Sequence, residues 1–250
     1  MDVTNPIKNS EVSSSCHCCT GGLHQAKPIG NPSRRSLLWT GIAGAIAATT
    51  FGMREPASAQ STLSPEAALQ ALLDGNARFV EQRLTSCNED LAILKENTVA
   101  KQEPIAAVLS CADSRVPVEL IFDQSIGHLF VTRVAGNLAT SEVIASLEYG
   151  AAVLSTKAIL VLGHANCGAV KAAMEGKAVP GQISQLYALL RPAVDAAAGD
   201  LDAAIRANAR MQAHLLATAS PLLAGLIKEG KLKIVAGYYA LDSGKVTLLG

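Results

Sequence analysis

The sequence predicts an α/β domain: a mostly parallel central sheet flanked by helices, an antiparallel edge strand at the carboxyl end, and an N-terminal helical arm. Three observations carry this. Two short, near-continuous apolar runs, Ile105 to Ser110 and Lys157 to Leu162, read as strands buried on both faces. Segments with helical periodicity separate the strand-like runs, as crossover connections between parallel strands require. Near the end, Asp242-Ser243-Gly244 turns one strand directly into a last one, which makes that pair antiparallel.

Taken in order, Ser64-Pro65-Glu66 opens a helix with a capping hydroxyl and a proline in the first turn. Ala67, Leu69, Leu72, Leu73 and Phe79 give it an apolar face, and it is expected to run to about Leu84. A weaker helix is expected from Asp90 to Lys101, ended by Pro104. The strand Ile105–Ser110 follows, then a strand from His128 to Val134 and a helix from Thr140 to Leu154. After the strand Lys157–Leu162 come helices from Asn166 to Glu175, Gln182 to Ala198 (with a break at Pro192) and Leu201 to Ser220. Lys231 to Tyr239 and Lys245 to Leu249 close the sheet. There is no internal repeat, and residues 61–250 are read as one domain.

The first 60 residues differ. Met1 to Asn31 is rich in Ser, Gly, Pro and Asn without periodicity and is expected to be disordered. Ser33-Arg34-Arg35-Ser36-Leu37-Leu38 leads into an apolar run from Leu37 to Gly52, short for a membrane span, with an uncleaved membrane anchor as the alternative to a cleaved leader. Ala57-Ser58-Ala59 has the small-residue pattern of a cleavage site. The paired arginines resemble a twin-arginine export signal. Residues 1–60 are therefore read as a disordered n-region plus a leader that meets the membrane only in transit. The mature chain is expected to start near Gln60 in an extracytoplasmic space, periplasm or thylakoid lumen. The formal net charge is zero, so there is no electrostatic case for a nucleic-acid partner.

Six cysteines are present, in a pattern that is not a disulfide framework. Cys16, Cys18 and Cys19 fall in the leader, and Cys87 stands alone as a small thiol. The other two belong to the segments that carry the chemistry. Cys111-Ala112-Asp113-Ser114-Arg115 and His164-Ala165-Asn166-Cys167-Gly168 each follow a buried strand. Ligands of such sheets gather beyond the carboxyl ends of the strands. Cys111, Asp113, His164 and Cys167 make a full tetrahedral zinc shell. Asp113 has two positions open to it: on the metal, or turned away onto Arg115, which leaves one coordination position for water. Zinc with an open position makes bound water a nucleophile near neutral pH. Two thiolates make a weaker Lewis acid than three imidazoles, so an alkaline-shifted activity profile is expected. Gly168 opens a helix, and its amide is a candidate donor to a substrate oxygen; tight strand–helix packing would also explain a glycine there. His128, near a strand start, is a candidate proton shuttle.

Cys111-Ala-Asp113-Ser-Arg115-Val-Pro, Arg133-Val-Ala-Gly-Asn137 and Gly163-His164-x-x-Cys167-Gly168-Ala-Val resemble the β-class carbonic anhydrases, and the likeness extends from about Ser64 to the carboxyl end. The resemblance implies zinc on Cys111, His164 and Cys167, Asp113 alternating between zinc and Arg115, and hydration of carbon dioxide to bicarbonate. It also implies a homodimer, often paired into a homotetramer. It further makes Gln124 a candidate substrate donor. Two positions depart from many relatives. Residues 165–166 read Ala-Asn, and Val108 stands where some bacterial relatives carry a tryptophan of an inhibitory bicarbonate pocket. Carbonyl sulfide or carbon disulfide hydrolysis on the same fold is the alternative chemistry. A zinc-stabilised assembly protein without activity is the alternative class.

Overall fold

The structure is a computed structural model that describes residues 61–86, 98, 99 and 101–250. The leader, Cys16, Cys18, Cys19, Cys87 and nearly all of the expected helix Asp90–Lys101 lie outside the described residues.

Helix α1 spans Pro65–Val80, and Ser64 caps it by accepting the Ala67 N–H on its side chain. It stops short of Leu84 because Gln82 takes a left-handed φ of 56°. Its inner face carries Ala68, Leu69, Leu72, Gly75 and Asn76. At Gly75 a Cβ would fall 1.8 Å from the carbonyl oxygen of Phe122, so only glycine lets the helix approach that closely. Asn76 Nδ2 donates to the carbonyls of Ile121 (3.2 Å) and Gly244 (2.9 Å), while its Oδ1 accepts the Val246 N–H (2.8 Å). One buried amide therefore ties α1 to two distant parts of the chain, around Ile121 and around residues 244–246.

Strand β1 (Ala106–Ser110) is buried throughout. It is followed by a short helix α2 (Val118–Ile121), strand β2 (Leu129–Arg133) and helix α3 (Ser141–Ala152). Strand β3 (Ala158–His164) is also buried throughout and runs two residues past the expected Leu162. Helix α4 (Gly168–Glu175), a single 3-10 turn, and helices α5 (Ser184–Ala196), α6 (Leu201–Ala219) and α7 (Pro221–Lys228) precede β4 (Lys233–Tyr239) and β5 (Val246–Leu249). The helix α5 runs through Pro192 rather than breaking there. Ala188, whose carbonyl loses its helical bond to the proline, is exposed, so water can take that bond.

The sheet order is β2-β1-β3-β4-β5, with the first four strands parallel and β5 antiparallel to β4. The period-2 alternation of each strand sorts its residues onto two faces. Val108, Leu160 and Leu162 pack with Leu72, Ile121 and Phe122 under α1 and α2. Leu109, Ile159 and Val161 pack on the other face with Leu147, Leu216 and Leu223 from α3, α6 and α7. A third cluster joins Leu138, Val170, Leu190 and Ile205 to the side chains of Cys111 and Cys167. That cluster sits where β1 and β3 end.

Candidate metal centre

The two central strands deliver the donors. Chain that leaves β1 at Ser110 places Cys111, 4% exposed, just beyond the sheet. His164 is the last residue of β3, not part of the following turn, and is fully buried. Cys167 occupies the capping position of α4, which is why that helix starts at Gly168 and not at Asn166. The Sγ atoms of both cysteines and one ring nitrogen of His164 lie within 4.8 Å of one another. Donors around tetrahedral zinc are about 3.5–3.8 Å apart, so a small contraction would seat the ion.

The hydrogen bonds favour ligation. Nδ1 of His164 contacts the Ala165 carbonyl oxygen at 2.9 Å, a contact that requires the proton on Nδ1. Nε2 is left as a buried lone pair with no hydrogen-bond partner among the described residues. An unpaired buried polar atom costs about 1–3 kcal/mol, and a metal ion would relieve that cost. The sulfurs are held by main-chain donors. Gly136 N–H reaches Cys111 Sγ at 3.4 Å, and the amides of Ala169 and Val170 point to Cys167. Contact with Cys167, helped by the Gly136 and Asp113 amides, pulls the Cys111 thiol down against the effect of burial. Contact with Cys111 and burial push Cys167 up. A divalent cation bound between the two sulfurs would take both as thiolates and release their protons.

Asp113 does not join the three converging donors. It takes the position turned toward Arg115, whose guanidinium holds its carboxyl well below the usual carboxylate range. Its Oδ2 still lies only 3.9 Å from His164 Nε2, at the edge of the donor triangle. Arg115 Nη2 also reaches the main-chain oxygen of Asn166 at 3.3 Å, and Asn166 adopts a left-handed φ of 53°. Position 166 therefore serves the site through its backbone.

Two residues in the expected motifs have roles the sequence did not reveal. Arg133 donates from Nε to the Cys111 carbonyl (3.0 Å) and from Nη2 to the Asp113 carbonyl (2.5 Å), fixing the loop that carries both side chains. Gly136 supplies the amide to Cys111. The only signal for either was the run Arg133-Val-Ala-Gly-Asn137 itself.

Other expectations need correction. A Cβ at Gly168 would meet nothing within 4 Å, so tight packing does not explain that glycine; its amide opens α4 beside open space. His128 is exposed at the amino end of β2, whereas the site lies at the carboxyl ends. Five residues of strand, roughly 16 Å, separate the two, so His128 is not a proton shuttle for this site within one chain. Gln124 spends its Nε2 on the carbonyl of Phe122 at 3.0 Å. A cavity of about 500 Å³ lined by Thr156, Lys157 and Lys231 opens at the amino end of β3 and has no part in the centre.

Comparison with known proteins agrees with this geometry. The family model described as "Carbonic anhydrase" matches residues 106–246. Carbonic anhydrase 2 of Mycobacterium tuberculosis is 37% identical over 195 residues, covering 74% of this chain and 93% of the relative. The β-carbonic anhydrase of Coccomyxa, solved in complex with acetazolamide, superimposes with a TM-score of 0.57 at 27% identity, over 72% of this chain and 86% of its own. One of two tetrameric β-carbonic anhydrases from Sordaria macrospora shares the fold, with a TM-score of 0.58 at 22% identity, over 64% and 91% of the two chains. With the sheet order, the two strand-end segments and these relatives in agreement, the chain belongs to the β-class carbonic anhydrases.

Proposed function

We propose that this chain holds one zinc ion on Cys111, His164 and Cys167 and catalyses the reversible hydration of carbon dioxide to bicarbonate and a proton. The observation that carries the reading is the orphaned Nε2 of His164, buried beside two thiols while Arg115 keeps Asp113 to one side. When bound, zinc supplies a Lewis acid that makes water available as a nucleophile near neutral pH.

The protein's own groups do the rest. Arg115 keeps Asp113 ionised, so Asp113 can only accept hydrogen bonds. Placed beside the donor triangle, Asp113 would accept a hydrogen bond from the attacking water or hydroxide, without taking its proton, and so aim its lone pair at the carbon. Arg133 holds the carbonyls of Cys111 and Asp113, which limits drift of both side chains. The Gly168 amide, in the first turn of α4 and without a helical partner, is placed to donate to a substrate oxygen.

Two further parts of the reading concern the whole protein. The outer edge of β2 pairs with no described strand; exposed Tyr149 lies on α3 against Phe130 of β2, and exposed Val153 caps the end of α3. This apolar edge supports a homodimer, with a homotetramer as a pair of such dimers. The Arg34-Arg35 segment, the apolar run and Ala57-Ser58-Ala59 support twin-arginine export to the periplasm or a thylakoid lumen. Folded export would let zinc enter the thiolate site in the reducing cytoplasm. Sequencing the amino terminus of protein from fractionated cells tests this: a start near Gln60 outside the cytoplasm is expected, and an intact cytoplasmic chain contradicts it.

The activity is tested by zinc analysis together with parallel assays of carbon dioxide hydration and of carbonyl sulfide and carbon disulfide hydrolysis. Hydration far exceeding hydrolysis is expected. The reverse order would make the chain a hydrolase of the sulfur analogues. A zinc-loaded protein with neither activity would make the metal structural.

A further inference from the structure

Helix α6 buries an inner face that is apolar except at Asn208 and Gln212. Four residues apart, they stand one above the other on that face. Neutral amides in a core destabilise it unless their polar atoms are paired. Here the pairing has a direction. Gln212 Nε2 donates to Asn208 Oδ1 at 3.1 Å, which orients the Asn208 amide. Asn208 Nδ2 then donates to the Gly136 carbonyl at 2.8 Å, and Gln212 Oε1 accepts the Ala139 N–H at 2.9 Å. The pair grips both ends of the segment 136–139. Gly136, at a left-handed φ of 77°, turns its own N–H onto Cys111 Sγ at 3.4 Å.

We propose that Asn208 and Gln212 are positioning residues for the metal centre: by clamping residues 136–139 they hold the Gly136 N–H on the Cys111 sulfur. The inference rests on the zinc reading above. An N–H donor on a thiolate withdraws charge from it and fixes its direction, which tempers its donation to a metal ion. Neither amide touches a donor atom or the substrate, and both act through the main chain. Arg133 performs the matching task on the Cys111 carbonyl, so the cysteine is fixed at its backbone from one side and at its sulfur from the other.

The test uses the full chain loaded with cobalt(II) in place of zinc. It reads the thiolate-to-metal charge-transfer band and the metal affinity by competition with a chelator. Asn208→Leu, Gln212→Leu and the double variant are compared with Leu216→Ala, a buried change on the same helix that lies in a different cluster. The clamp variants should lose about 10- to 100-fold in affinity and move the band to longer wavelength. The double variant should lose less than the two single losses combined, since the amides act as a unit. Leu216→Ala should lower the thermal midpoint while leaving band and affinity as they were. Should N208L fail to fold, Gln212→Leu alone is read in the same way, because it removes the group that orients Asn208. Clamp variants that lower the midpoint but leave band and affinity unchanged would overturn the proposal. A wild-type chain with no thiolate band would instead overturn the zinc reading on which it rests.

Discussion

Arg115 grips Asp113 with three hydrogen bonds. Nε meets Oδ1 at 2.9 Å, Nη2 meets Oδ2 at 2.8 Å, and the Arg115 main-chain N–H adds a second bond to Oδ1 at 2.9 Å. Alone, an exposed pair of this kind contributes little to stability. Its position gives it another use: it keeps a carboxylate beside the donors yet off them.

That relationship predicts separate outcomes for zinc content and turnover. Asp113→Ala removes the acceptor for the attacking water and should lower hydration by about 100-fold or more, the scale of a lost acid–base partner, with zinc retained. Arg115→Lys replaces the planar fork with a point charge and frees Asp113 to move toward the ion. It should lower hydration about 10- to 100-fold, again with zinc retained. Stopped-flow hydration and zinc analysis on the same samples check both. Full activity in either variant would remove the pair from the mechanism.

His164 should govern metal content itself. Its Nδ1 contact with Ala165 leaves only Nε2 to bind the ion. His164→Ala should lower zinc affinity by more than about 100-fold, beyond what loss of a supporting contact costs. Competition with a chromophoric chelator measures this. Unchanged affinity would place the metal elsewhere.

Asp123 should make the fold acid-sensitive. Its side chain is fully buried. Burial alone would raise its pKa. The Ser86 N–H, Arg78 and Thr85 together outweigh burial and hold the carboxyl below its usual range. A folded value below the unfolded one, about 3.9, means the stabilisation is present above that value and is lost as pH falls through the folded value. Urea midpoints should therefore fall as the medium is acidified below about pH 5. Asp123→Asn should lose about 1–3 kcal/mol at neutral pH and show a flatter acid limb. An acid limb as steep in the variant as in the wild type would contradict this.

Gly75→Ala should cost about 3 kcal/mol, because the new methyl would overlap the Phe122 carbonyl and the helix must move away. The same movement would strain the Asn76 bonds to Ile121 and Gly244. Denaturant unfolding measures the loss. A change within about 0.5 kcal/mol, the range of ordinary surface substitutions, would show that the contact yields easily.

Much of this was legible in the residues. Uninterrupted apolar runs marked β1 and β3 because strands covered on both faces have no polar side. The three converging donors were legible because each lies at or just beyond the carboxyl end of such a strand. Helix α7 was missed although Ser220-Pro221 repeats the signal of Ser64-Pro65, because the apolar pattern of α6 runs straight into it and Ser220 caps the second helix. The start of α4 was placed two residues early because Cys167 takes the cap as well as a donor role. Arg133, Gly136, Asn208 and Gln212 could not be assigned from sequence. Their contributions pass through main-chain atoms brought close by the fold, and side-chain spacing does not record those.

The central claim is that Cys111, His164 and Cys167 hold one ion on which hydration depends. Its most direct test is to strip the protein with a chelator and restore zinc stepwise while following carbon dioxide hydration. The account predicts an inactive stripped protein whose activity rises linearly and stops at one zinc per chain. Activity that survives stripping, or that fails to return with one zinc bound, would contradict it.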